Sequence, residues 1–296
     1  MFGKDYWSDV SIPWWQMLLV VLGTLAVVAG IIAVVSVVQH KRGIKFERST
    51  KDLTYGAICL AASFALSYIK VFSLPAGGSI TVASMLPILI YCYYFGFRKS
   101  LIVSTAYVML QFIQGPYVVS PWSALFDYVF PYLAPSLVGL FKFKRENYEA
   151  MVSKGKNPFG CHAGFFIGCA VYFVARLFSH ILAGVLFWSD ISWMENGFLM
   201  WSGVLSGGAA WAYSTTYNII FLAPDTAIAI VAGMFLLMSK AFNKFMANSV
   251  GKLDSSSLAS SVDETLAPTV ESESPDGSAA TESDTLENSD TAAEND

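Results

Sequence analysis

"VARLFSHILAGVLFW", Val174 to Trp188, is an apolar run that carries one arginine and one histidine. Steps of four residues place Arg176, His180, Gly184 and Trp188 along one slowly drifting side of a helix. The apolar character extends back to residue 162, longer than the roughly 20 residues a bilayer-crossing helix needs. A cation and an imidazole are costly in hydrocarbon, so inside such a helix they face a bundle interior or a cavity. The stretch therefore predicts one membrane-spanning helix of a bundle.

Six further stretches read the same way, at 14–38, 53–72, 81–97, 100–118, 123–141 and 212–238. Only 14% of the chain is charged against 55% hydrophobic, and the charges gather between these stretches instead of spreading as a soluble surface requires. The expected fold is an all-α, polytopic membrane helical bundle with seven spans. In the first stretch the basic residues follow the apolar core, in "QHKRGIKFERSTK", where a signal peptide carries them before it. It reads as a retained helix.

Basic residues alternate along the chain. Residues 39–52 carry five Lys or Arg, Arg98–Lys99 two, residues 142–161 five and residues 239–252 three, whereas 73–80, 115–122 and 189–211 carry none. Cytoplasmic loops are the basic ones. The pattern predicts a cell-membrane protein with its N-terminus outside and its C-terminus in the cytoplasm. Residues 253–296 hold 12 acids and no base, with few large apolar residues to offset ordering entropy, and read as a disordered acidic tail. Three regions follow: an extra helix and basic loop at 1–52, a membrane core at 53–240, and a cytoplasmic tail at 241–296.

The chemistry excluded is as informative. Four cysteines lack metal-ligand spacing, and three histidines cannot build a histidine-rich cage, so neither metal nor cofactor is expected. No nucleophile–base pairing, P-loop or dinucleotide fingerprint is visible. The chain reads as a non-enzyme whose surroundings are the lipid bilayer, with no nucleic acid as partner. Active transport would draw energy from a partner or an ion gradient.

Inside the spans stand Lys70, Asp127, Arg176, His180 and Asp225. Topology puts Asp127, His180, Trp188, Tyr213 and Asn218 at one outer level, from three segments distant in sequence. An acid, an imidazole, an amide and aromatics at one depth compose a small-molecule pocket. They suit a flat cationic heteroaromatic, the carboxylate also accepting from an exocyclic amine. Arg176 and Asp225 lie deeper and read as a structural ion pair, with a substrate role as the alternative. Gly184 leaves room for a neighbouring helix.

Three motifs carry a resemblance: "LFDYVFPYLAPSLVGLF" (125–141), "RLFSHILAGVLFWSD" (176–190) and "WAYSTTYN" (211–218). From about Leu53 to Met238 the chain resembles the thiamine-specific substrate-binding (S) components of energy-coupling factor vitamin transporters. The resemblance implies a six-helix core binding thiamine near the outer face under a loop between the first two core helices. The added first helix falls outside it. His180 and Trp188 would contact the ligand rings, with Trp188 stacking, and Tyr213 and Asn218 would complete the pocket. Asp127 stands where the family carries a glutamate before a tyrosine, here Tyr128, and would hold the ligand's amine or cationic ring. The family's lid-side tryptophan would align near Gly78, so an aromatic wall is either absent or supplied from elsewhere, by Trp122 or Trp193. Ala57 and Ala61 match an AxxxA surface that, in the family, docks on the membrane coupling subunit driven by two ATPase subunits; close helix approach is what such spacing permits. The alternatives are an S component for another heteroaromatic vitamin or a thiamine precursor, a membrane scaffold or sensor, and a self-sufficient gradient-driven carrier.

Overall fold

The computed structural model describes residues 14–41, 50–194 and 196–250. All belong to one compact unit. The acidic tail expected over 253–296 and most of the basic loop expected over 39–52 lie outside the described residues.

The helices are α1 (Trp14–Lys41), α2 (Thr50–Ser67), α3 (Leu86–Phe95), α4 (Phe97–Ile113), α5 (Pro121–Phe141), α6 (Arg145–Ser153), α7 (Ala163–Phe187) and α8 (Gly207–Met238). A last helix, α9, covers 240–250. Three helical stretches among the described residues are long and apolar enough to cross a membrane: Pro121–Phe141, Pro158–Phe187 and Gly207–Met238. Val21–Ala33 and Leu86–Phe95 are shorter apolar helices.

For two of the expected spans the difference has a local cause. The stretches 53–72 and 81–97 include residues that leave the helix and pair as an antiparallel hairpin, β1 (Lys70–Ser73) and β2 (Ser79–Thr81), in the register Phe72↔Ile80 and Ser73↔Ser79. Pro75, Gly77 and Gly78 form the turn, and β-branched Val71, Ile80 and Thr81 suit strands. Residues assigned to helix by hydropathy alone thus build a structure between α2 and α3.

α3 is the centre of the bundle. Nine of its ten residues are buried, and a helix apolar all round belongs inside. Around it pack α2, α4, the end of α5, α7 and α8, with Phe165, Cys169, Tyr172, Ala229 and Leu237 closing the core. α1 lies outside this arrangement, against α4 and the first turn of α5, with Thr24 and Val28 buried.

The core reaches past residue 240, where the tail expectation began. In "AFNKFMANSV" the apolar residues recur at helical spacing, and Met246, Ala247 and Val250 join the core cluster. Buried Asn243 donates from Nδ2 to the Leu237 carbonyl at 2.6 Å, satisfying the end of α8.

Candidate functional site

α5 is not a regular helix, and its irregularity aims the acid. Residues Leu125–Val129 form a π turn in which the Phe130 N–H donates to the Leu125 carbonyl, five residues back. In that register the next donor would serve the Phe126 carbonyl, but it belongs to Pro131, which has no N–H. Ser179 on α7 donates from Oγ to the Phe126 carbonyl instead, at 2.7 Å. One sequence feature, a proline four residues past Asp127, thus opens the turn carrying the acid and fastens it to the residue before His180. Single π turns recur at functional sites.

Asp127 is then met from α7 twice. Trp188 donates from Nε1 to Oδ2 at 2.8 Å, and His180 Nδ1 lies 3.4 Å from Oδ1. His180 Nε2 is buried with no partner among the described residues. Both carboxylate oxygens therefore carry one protein contact each and keep further acceptor capacity.

α7 and α8 approach closely at Gly184. A side chain there would overlap Ser214, whose Oγ donates to the Ile181 carbonyl at 2.8 Å. Asn218 donates from Nδ2 to the Ser214 carbonyl at 2.8 Å and lies 3.3 Å from the His180 carbonyl. The contact holds His180 and Asn218 across one gap.

These groups line a cavity of about 130 Å³, open at its mouth, with aromatic walls and a few convergent polar groups. Asp127, Tyr128, His180, Trp188, Tyr213 and Asn218 all line it. Tyr128 also accepts the Tyr117 N–H at 2.8 Å, tying the segment before α5 to the wall. Arg176 and Asp225 lie below the lining, Nη1 to Oδ2 at 3.5 Å. Ala57 and Ala61 are elsewhere, exposed on the outward side of α2.

Further lining groups did not stand out in the sequence. Tyr132, Ser214, Tyr217 and Phe221 line the cavity, as do Gly77, Gly78 and Ser79 of the hairpin turn. Tyr213, Tyr217 and Phe221 follow each other at steps of four on α8, an aromatic stripe that was the available signal. The wall sought near Gly78 comes from that stripe. A Cβ on Gly78 would come within 2.9 Å of both Phe221 and the Tyr217 hydroxyl, so those rings occupy the space beside the turn. Trp122 does not supply it: this residue is exposed and borders an apolar groove against α1. Trp193 is not among the lining residues either.

Residues 189–194 and 196–206 cover the start of α8. Phe198 and Trp201 exchange backbone hydrogen bonds and pack their rings on Tyr213, at 6.0 Å each. Asp190 in this exposed segment is held below the usual carboxylate range by the Ser192 hydroxyl and N–H.

Fold and site together define a multi-pass helical membrane protein with an aromatic-walled pocket at the end of the bundle where α7 finishes. The particular group is fixed by sequence. The chain belongs to the thiamine transporter protein (Thia_YuaJ) family, whose profile matches residues 53–245. All three motifs fall inside that region; α1 falls outside it. Thiamine transporter ThiT of Bacillus subtilis (strain 168) is 24% identical over 186 residues, covering 62% of this chain and 88% of that protein. A solved structure of ThiT from Listeria monocytogenes is 19% identical with a TM-score of 0.48, covering 68% of this chain and 96% of that one.

Proposed function

We propose that the chain is a thiamine-binding S component that captures thiamine at the outer face and delivers it inward when coupled to an energy-coupling factor ATPase module. The observation that carries the reading is the Asp127 carboxylate, aimed into an aromatic-walled cavity by a π turn and bracketed by Trp188 and His180. A carboxylate among ring faces favours a flat cation that also carries an amine. Asp127 takes the ligand's amine or cationic ring. Trp188 offers a ring face while its N–H steadies the acid. His180 keeps Nε2 for the ligand, and Tyr128, Tyr213 and Asn218 close the walls.

The hairpin between α2 and α3 supplies the cover over the pocket. The exposed small-residue face of α2 at Ala57 and Ala61 is the surface for the coupling subunit. The alternation of basic loops orients the chain with the pocket outside.

Titration of purified protein with thiamine, read by tryptophan fluorescence, tests the ligand. Saturable quenching at micromolar thiamine or below is expected, because Trp188 lies on the cavity. Folded protein that gives no response contradicts the assignment. A competition panel of thiamine precursors and other heteroaromatic vitamins decides between thiamine and a close relative, the question raised by the shortened acid at 127.

A further inference from the structure

Beneath the pocket a second polar cluster connects the bundle to the hairpin. Asp225 on α8 is 4% exposed, and its Oδ1 accepts two hydrogen bonds from one residue, the Thr81 N–H at 2.9 Å and the Thr81 hydroxyl at 2.7 Å. Thr81 closes β2, so this is the base of the hairpin. Ser84 Oγ lies 2.7 Å from the same hydroxyl. The other carboxylate oxygen faces Arg176 Nη1 at 3.5 Å, and Arg176 donates to the Tyr172 hydroxyl at 2.6 Å. The guanidinium carbon lies 5.4 Å from the ring centroid of Tyr132, and Tyr132 lines the pocket.

The hairpin is also held at its tip. The Tyr217 hydroxyl accepts the Gly78 N–H at 3.1 Å and donates to the Pro75 carbonyl, so one side chain clasps both ends of the turn. Between clasp and base, Gly77, Gly78 and Ser79 form part of the pocket wall. An ion pair serving packing alone would not need a carboxylate committed twice to a residue outside the helices. Buried charges are costly to leave unpaired, and here the carboxylate reaches full pairing only with the hairpin seated.

We infer that Asp225 is a positioning residue that fastens the base of the hairpin over the pocket, with Arg176 holding the carboxylate in place, so that this pair sets how long a bound ligand is retained. The retention part rests on the thiamine-binding reading; the fastening part does not. Unseating the hairpin takes both Thr81 donors from Asp225 and leaves the acid with Arg176 alone. Release therefore has a barrier at the base that is separate from contacts in the pocket.

The test uses two variants of the full chain. Arg176→Met/Asp225→Leu removes the fastening without stranding a charge. Thr81→Val keeps the ion pair and removes only the hydroxyl. Hydrogen exchange at the Thr81 amide in ligand-free protein reads the fastening: about tenfold faster exchange is expected in the double variant, with amides of α3 unchanged. Loss of prebound thiamine into excess competitor reads retention: dissociation about tenfold faster in the double variant and about threefold faster in Thr81→Val is expected, with association changed less than about twofold. Unaltered Thr81 exchange in a folded double variant overturns the fastening. Faster exchange with unchanged dissociation overturns the role in retention. If the unmodified protein binds no thiamine, the ligand assignment and the retention claim fall together, and the exchange result still decides the fastening.

Discussion

At the end of the bundle where α3 meets α4, rings pack on rings. Tyr93 meets Phe165 at 5.6 Å edge-on, and Phe143 stacks on His162 at 5.7 Å. The hydroxyls there reach protein partners, Tyr93 to His162 Nδ1 at 3.2 Å and Tyr94 to Asn243 at 3.3 Å. At the other end, where α7 finishes and α8 begins, Tyr128, Tyr132, Trp188 and Tyr213 face a cavity with an acid in its wall. Both ends are rich in aromatic residues, so composition does not distinguish them. A ring contributes to stability when its faces meet other side chains, and it is free for recognition when one face does not. The backbone decides which applies: α3 is surrounded on all sides, whereas a π turn in α5 carries Asp127 to the cavity and the close approach at Gly184 sets Ser214 and Asn218 beside it.

That contrast can be broken from either side. The largest effect is expected at the packed end, where Phe165→Ala removes a fully buried ring and costs about 3–5 kcal/mol of stability. Thermal unfolding in detergent should show the loss, while thiamine affinity of the folded fraction stays within about twofold. Gly184→Ala acts at the seam between α7 and α8. Its methyl overlaps Ser214, so a loss of about 1–3 kcal/mol and weaker binding together are expected, with Ser214→Gly in the same chain giving partial recovery.

In the pocket itself, Asp127→Ala and Trp188→Ala should each weaken thiamine binding by at least about tenfold, measured by calorimetric titration, with little change in unfolding temperature. Because Trp188 donates to Asp127, their combined effect should fall short of the product of the single effects. The smallest effect is expected from Trp122→Ala. Its ring lies on the groove against α1, and thiamine affinity should stay within about twofold. A tenfold loss there would mean that the aromatic wall has been placed wrongly.

Charge alternation and hydropathy put Asp127, His180, Trp188, Tyr213 and Asn218 at one level, and all five line one cavity. Their pattern was legible because ionisable residues in an apolar helix have few places to go. The hairpin was not legible. Val71, Phe72, Ile80 and Val82 are as apolar as span residues, and a hydropathy window does not separate strand from helix over so few positions. The same blindness hid the π turn, since Pro131 reads as a kink without saying which carbonyl it leaves open. Tyr217 is marked only by the stripe of Tyr213, Tyr217 and Phe221 at steps of four, which runs past the end of "WAYSTTYN". Helix α9 was obscured by the acidic tail beyond it, although Phe242, Met246 and Val250 already marked an inward face.

The central claim is that the cavity around Asp127 is a thiamine site. Native mass spectrometry of the purified protein, released from detergent with thiamine added, tests it most directly when the Asp127→Ala chain is measured in parallel. One thiamine mass added per unmodified chain, and a clear loss of that species in the variant, are expected. An unmodified, folded chain that carries no thiamine, or a variant that carries as much, would contradict it.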